Sequence, residues 1–83
     1  MSFKVNLVSR SYINLESDEQ KALVEGEALI PKDKSLPCYV VYLNSASIVN
    51  GSKSRQANDS EMADIVVAIK EHFGSKGSIV DFE

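Results

Sequence analysis

Hydrophobic residues recur at every second position through much of the first half of the chain, and at every third or fourth position over residues 58–74. From Phe3 to Val8, Phe3, Val5 and Leu7 fall on one side and Lys4 and Asn6 on the other, the period-two pattern of a half-buried strand. Ser9-Arg10-Ser11 is a bulge, a bend or simple continuation. Tyr12–Leu15 resumes strand character, with Ile13 and Leu15 on one face. The polar run Glu16-Ser17-Asp18-Glu19-Gln20 predicts a hairpin connection. Lys21–Ile30 is helix-friendly in composition. Its pattern is not: Ala22, Val24, Gly26, Ala28 and Ile30 alternate with Leu23, Glu25, Glu27 and Leu29. Gly26 would also weaken a helix by about 1 kcal/mol relative to alanine. A strand ended by Pro31 is predicted, then a loop to Pro37 that holds Lys32, Asp33 and Lys34.

Cys38–Leu43 is an aromatic and β-branched run, which predicts a central strand covered on both faces or nearly so. Ser45–Val49 either extends it or forms a short strand of its own. Asn50–Ala57, with Gly51, Lys53 and Arg55, reads as a mobile loop. The helix signal is the clearest in the chain. Asn58 and Glu61 have capping-box spacing, and Asp59 and Glu61 suit the positive end of the dipole. Met62, Ile65, Val66, Ile69 and Phe73 form one stripe, Asp64 and Glu71 lie opposite, and Gly74 is a left-handed stop. Ser78–Phe82 predicts a closing strand. Together these elements predict one α+β domain over residues 1–83. It has a single, largely antiparallel sheet of four to five strands, a helix from the C-terminal region packed on one face, and a final short strand.

Composition narrows the possible partners. At 83 residues and net charge −3 the chain is small and mildly acidic. That disfavours direct nucleic-acid binding and suits a partner with a basic surface. One cysteine, Cys38, excludes an internal disulfide framework. No apolar stretch reaches membrane-spanning length and the N-terminus lacks a signal-peptide core, so a cytoplasmic protein is expected.

Candidate chemistry is sparse. His72 is the only histidine and sits beside the helix stripe, with no nucleophile-elbow spacing among the serines. Cys38 precedes a strand, where cysteine packs as a small apolar residue. No spacing suits zinc or calcium, and Gly51-Ser52-Lys53-Ser54 lacks the rest of a P-loop. Glu25 and Glu27 share a strand face and read as exposed charges on an edge strand. No catalytic residue, cofactor or metal is therefore expected. Two surfaces remain as binding candidates. One is the acidic set Glu16, Asp18, Glu19, Glu25 and Glu27. The other is the polar loop with Asn50, Lys53 and Arg55, next to Tyr42.

Three segments carry a resemblance: VEGEALI (Val24–Ile30), YVVYLNSASI (Tyr39–Ile48) and DIVVAIKEHFGSKGSIVDFE (Asp64–Glu83). In this order the chain resembles the small immunity proteins of bacterial polymorphic toxin systems, including contact-dependent growth inhibition. There a Gly-Glu strand precedes an aromatic-rich strand, a polar loop, an Ile-rich helix and a final strand. The resemblance covers roughly residues 22–83. It departs at Ile48-Val49-Asn50-Gly51, where such relatives often carry a tryptophan and prolines. It implies a non-enzymatic protein that binds a cognate toxin domain, expected to be a basic nuclease, and blocks its active site or substrate surface. Alternatives are a phage-type inhibitor that mimics nucleic acid and an adaptor that completes a sheet through an edge strand.

Overall fold

The computed structural model describes residues 3–33 and 35–83; Met1, Ser2 and the loop residue Lys34 lie outside the described residues. Seven strands and one helix follow in the order β1 (Lys4–Val8), β2 (Tyr12–Glu16), β3 (Lys21–Ala28), β4 (Tyr39–Val41), β5 (Ser47–Asn50), β6 (Lys53–Gln56), α1 (Asp59–Gly74) and β7 (Val80–Phe82). A 3-10 turn, Leu43–Ser45, separates β4 from β5. The sheet runs β1-β2-β3-β4-β7 and is antiparallel except for β4 and β7, which the helical crossover leaves parallel.

β3 is the centre of the sheet, and its far edge is shared. Gly26, Glu27 and Ala28 pair with β4, whereas Lys21, Ala22 and Leu23 pair with β5. The change of partner falls at Glu25. Its carbonyl accepts the Tyr42 N–H at 2.9 Å, and its N–H donates to Ser45 Oγ at 2.8 Å. The 3-10 corner thus satisfies the backbone groups that the switch would otherwise leave open. Glu25 and Glu27 therefore do not stand on an edge strand. They are exposed because no second layer among the described residues covers their face.

The helix covers the other face. Ile13, Leu15, Ala22, Val24, Tyr39, Val41 and Ile48 of the sheet are buried with Ile65, Ala68, Ile69 and Phe73 of α1. Two glutamate–asparagine bonds close the predicted capping box: Asn58 Oδ1 accepts the Glu61 N–H at 2.8 Å, and Glu61 Oε1 accepts the Asn58 N–H at 3.0 Å. Tyr39 lies across Gly26, packs 5.7 Å from Phe73, and donates its hydroxyl to the Ser9 carbonyl at 2.9 Å. A Cβ on residue 26 would meet the Tyr39 ring and come within 2.5 Å of the Val40 carbonyl oxygen. Glycine is there for close approach.

Several local expectations are corrected. A bulge between Val5 and Leu7 shifts the register of β1. Val5 and Val8 pack against the core, and Leu7, 48% exposed, turns to the open face. The run Cys38–Leu43 is a strand only over Tyr39–Val41, and Val40 is half-buried on the uncovered side, so β4 is central but covered on one face. Residues 47–56 form the β5–β6 hairpin in place of a mobile loop, closed by Gly51 at φ +64°. This hairpin and the split of the first segment raise the strand number to seven. Gly74 stays helical, and the left-handed position falls at Gly77, φ +70°. Among the described residues, no helix is long and apolar enough to cross a membrane.

Candidate functional site

Among the described residues, one face of the sheet is left uncovered by the helix. Alternation along β3 directs Lys21, Leu23, Glu25 and Glu27 to it, because Ala22, Val24 and Gly26 are buried. Tyr12 of β2 faces Glu25 across the ladder. Glu27 faces Val40, and Val40 faces Asp81 of β7. Tyr42, 38% exposed, donates its hydroxyl to Glu27 Oε2 at 3.2 Å. That hydrogen bond, then partial desolvation and the negative field of Glu27 and Glu83, raises the Tyr42 pKa above the ordinary phenol value. Glu83 is fixed nearby. Its N–H donates to the Val41 carbonyl at 2.8 Å, and its carbonyl accepts the Leu43 N–H at 2.9 Å. One end of the open face is therefore a tyrosine and carboxylate surface: Tyr12, Glu25, Glu27, Tyr42, Asp81 and Glu83.

The five acidic residues picked out in the sequence do not stay together. Glu16 faces Lys21 on one side and Lys4 on the other, so its charge is flanked by two cations. Asp18 and Glu19 are exposed in the β2–β3 turn. These three lie at the opposite end of β3 from Glu27, about 20 Å away at the usual rise per residue. Glu19 and Gln20 line a groove of about 550 Å³ with Val49, Asn50, Lys53 and Arg55. Charges of both signs line it.

The polar loop candidate also divides. Asn50 and Lys53 pair across the hairpin turn and are exposed. Arg55 is committed elsewhere. Its guanidinium donates two 2.8 Å bonds to the Glu61 carboxylate, which also accepts from Gln20 Nε2 at 3.0 Å. Glu61 thus ties the hairpin and the β2–β3 turn to the helix N-terminus. The Arg55 bonds come first, and the Asn58 backbone bond second, in holding its pKa down to about 2.

Asp81, Glu83 and Tyr12 were missed as neighbours of Glu25 and Glu27. Only the parallel pairing of β7 with β4 brings the C-terminal acids there, and no local pattern encodes that pairing. Among the described residues no group of three His, Cys, Asp or Glu side chains could hold a metal ion. Cys38 is free and half-buried.

The family model described as Immunity protein 74 matches residues 4–83. The chain belongs to the Immunity protein 74 family. Neither the curated proteins nor the solved structures gave a match. Membership of an immunity protein family gives the chain a cognate toxin as partner and toxin neutralisation as its role. Such families are generally non-enzymatic.

Proposed function

We propose that residues 1–83 act as one domain that neutralises a basic toxin domain of the nuclease kind, in the cytoplasm of the bacterium that makes both, within a polymorphic toxin or contact-dependent inhibition system. Inhibition is by occlusion: the tyrosine and carboxylate end of the open sheet face covers the toxin's active site or substrate surface. The observation that carries this reading is the placing of Glu25, Glu27, Asp81 and Glu83 on one sheet face with Tyr42, which feels Glu27 and Glu83 directly, a face that no other element among the described residues covers.

The chemistry fits such a partner. A nuclease cleft is lined with arginine and lysine that hold phosphates. Carboxylates on a rigid sheet present the same charge, and arginine binds a carboxylate through two parallel hydrogen bonds. Tyrosine adds contact area with little entropy loss, which is why it anchors many interfaces. Long-range attraction between an acidic face and a basic cleft speeds encounter. Glu16, Asp18 and Glu19 contribute to the general field, but they lie at the other end of β3, and Lys4 and Lys21 flank Glu16. Asn50 and Lys53 form the competing surface.

The test is growth rescue. Co-expression with the toxin domain encoded beside the gene should protect cells, and unrelated toxins should still kill. The double variant E25K/E27K should lose protection and bind more slowly, with the largest difference at low salt. Replacing Asn50 and Lys53 by alanine should leave protection intact. The opposite pattern would move the interface to the hairpin. Wild-type protein that protects against no toxin with a basic cleft would overturn the proposal.

A further inference from the structure

Between β2 and β3 the open face holds a depression of about 430 Å³, lined by Ser11, Tyr12, Asn14, Leu23 and Glu25. The register builds it. Ile13 and Leu15 are buried, so Tyr12 and Asn14 point to the open face, where they stand opposite Glu25 and Leu23. Glu25 is the only charge in the lining. Among the described residues, Ser11 and Glu25 bond only through their backbones, and the side chains of Tyr12 and Asn14 have no hydrogen bond within the chain. Glu27 and Glu61, by contrast, are already bound by Tyr42 and by Arg55. The surrounding charges leave the depression negative. Glu27 follows two residues on along β3, and Asp81 lies beyond it on the same rows of pairing. On the other side Lys21 stands opposite Glu16, and the two line the next depression together, so their charges cancel there. Arg10, whose carbonyl accepts the Ala28 N–H at 2.9 Å, is the one cation of these strands at the acidic end. Its side chain makes no ion pair among the described residues and does not line the depression. One guanidinium against Glu25, Glu27, Asp81 and Glu83 leaves this end acidic.

We propose that this depression is a socket for one arginine side chain of the toxin. The inference rests on the toxin-neutralising reading above and names the contact that gives it specificity. The depression is open, so a free small molecule would stay mostly in water there, whereas a side chain presented by a partner is enclosed by the partner's own surface. The lining matches a guanidinium group by group. Its flat face stacks on the Tyr12 ring, and its methylene stem lies along Leu23. Its donors reach the Glu25 carboxylate, the Asn14 amide oxygen and the Ser11 hydroxyl, acceptors that have no donor within the chain. A lysine ammonium would match the charge alone. A second copy of this chain is a poor occupant. Its two arginines are Arg55, bound to Glu61, and Arg10, which sits at the acidic end itself. Seating Arg10 in the socket of another copy would bring two acidic ends together.

The experiment uses the toxin domain that the wild-type chain neutralises in the rescue assay. Glu25→Gln keeps the shape and removes the charge. Tyr12→Ala removes the ring, and Tyr12→Phe keeps it. E25Q and Y12A should each weaken Kd about 10-fold or more, through faster dissociation, and at high salt as well as low, because the contact is direct. Y12F should bind as wild type, as should Val67→Ala on the exposed helix flank (54% exposed). Denaturant midpoints check that each variant is folded. Changing the toxin's arginines to lysine one at a time should find one whose loss matches that of E25Q and adds little to it in the double variant. If E25Q and Y12A bind as wild type while E25K/E27K still fails to protect, the socket is overturned and the neutralising reading stands. An E25Q loss that adds in full to every arginine-to-lysine change would overturn the socket too. So would a wild-type dimer that Arg10→Ala converts to monomer, which assigns the depression to self-association. If no toxin is neutralised, both proposals fall together.

Discussion

Replacing Glu61 with glutamine probes the side chain that ties the β5–β6 hairpin and the β2–β3 turn to the helix N-terminus. The carboxylate is only 13% exposed and receives hydrogen bonds from Asn58, Arg55 and Gln20. Glutamine keeps the shape and removes the charge. One arm of the capping box and the charge-assisted bond to Gln20 weaken, each of a kind worth about 0.5–1.5 kcal/mol. Arg55, 53% exposed, returns to solvent, so its share is small. The expected cost is about 1–2 kcal/mol near neutral pH, which lowers Tm by about 4–8 °C per kcal/mol in a domain of this size. The pH dependence identifies the cause. Glu61 titrates at about 2 in the folded chain against an ordinary 4.5. Its folded pKa is depressed, so its contribution is fully present above the unfolded value and disappears as pH falls through the folded one. Urea unfolding of wild type and E61Q should therefore show a gap at neutral pH that closes between about pH 5 and pH 2. A gap that persists undiminished at the acid end, or none at neutral pH, would refute this account of the helix N-terminus.

Two further substitutions test the core. Gly26→Ala should destabilise by about 1–3 kcal/mol or more, because the added methyl meets both the Tyr39 ring and the Val40 backbone carbonyl 2.5 Å away; an unchanged denaturant midpoint would refute the close approach of β4 to Gly26. Ile65→Ala or Ile69→Ala, both with 0% exposure, should each cost about 2–5 kcal/mol in the same unfolding assay.

What the sequence made legible follows the strength of the local signals. The helix start was readable because Asn58 and Glu61 are three residues apart and capping needs only that spacing. β3 was readable because alternation outweighed its helix-friendly composition. The bulge in β1 was not, since Asn6 and Leu7 continue an unbroken alternation and only the pairing with β2 shows the slip. β6 escaped because Lys-Ser-Arg-Gln has no apolar face to mark a strand, although Asn50-Gly51 beside it is a hairpin signal. The candidate surface was half legible. Glu25 and Glu27 could be placed on one strand face, but Asp81 and Glu83 join them only through a parallel pairing between distant segments. Arg55 reads from sequence as part of a candidate binding loop because the bond it makes to Glu61 depends on that unseen strand.

The most direct measurement of the central claim is a nuclear magnetic resonance titration of the labelled chain with a catalytically inactive form of its toxin. The account predicts that amide shifts concentrate at Tyr12, Glu25, Glu27, Tyr42 and Asp81. Amides on the helix flank near Val67 and Glu71, and at the hairpin around Asn50 and Lys53, should stay in place. Shifts confined to the helix flank or the hairpin, with the open sheet face unperturbed, would contradict it.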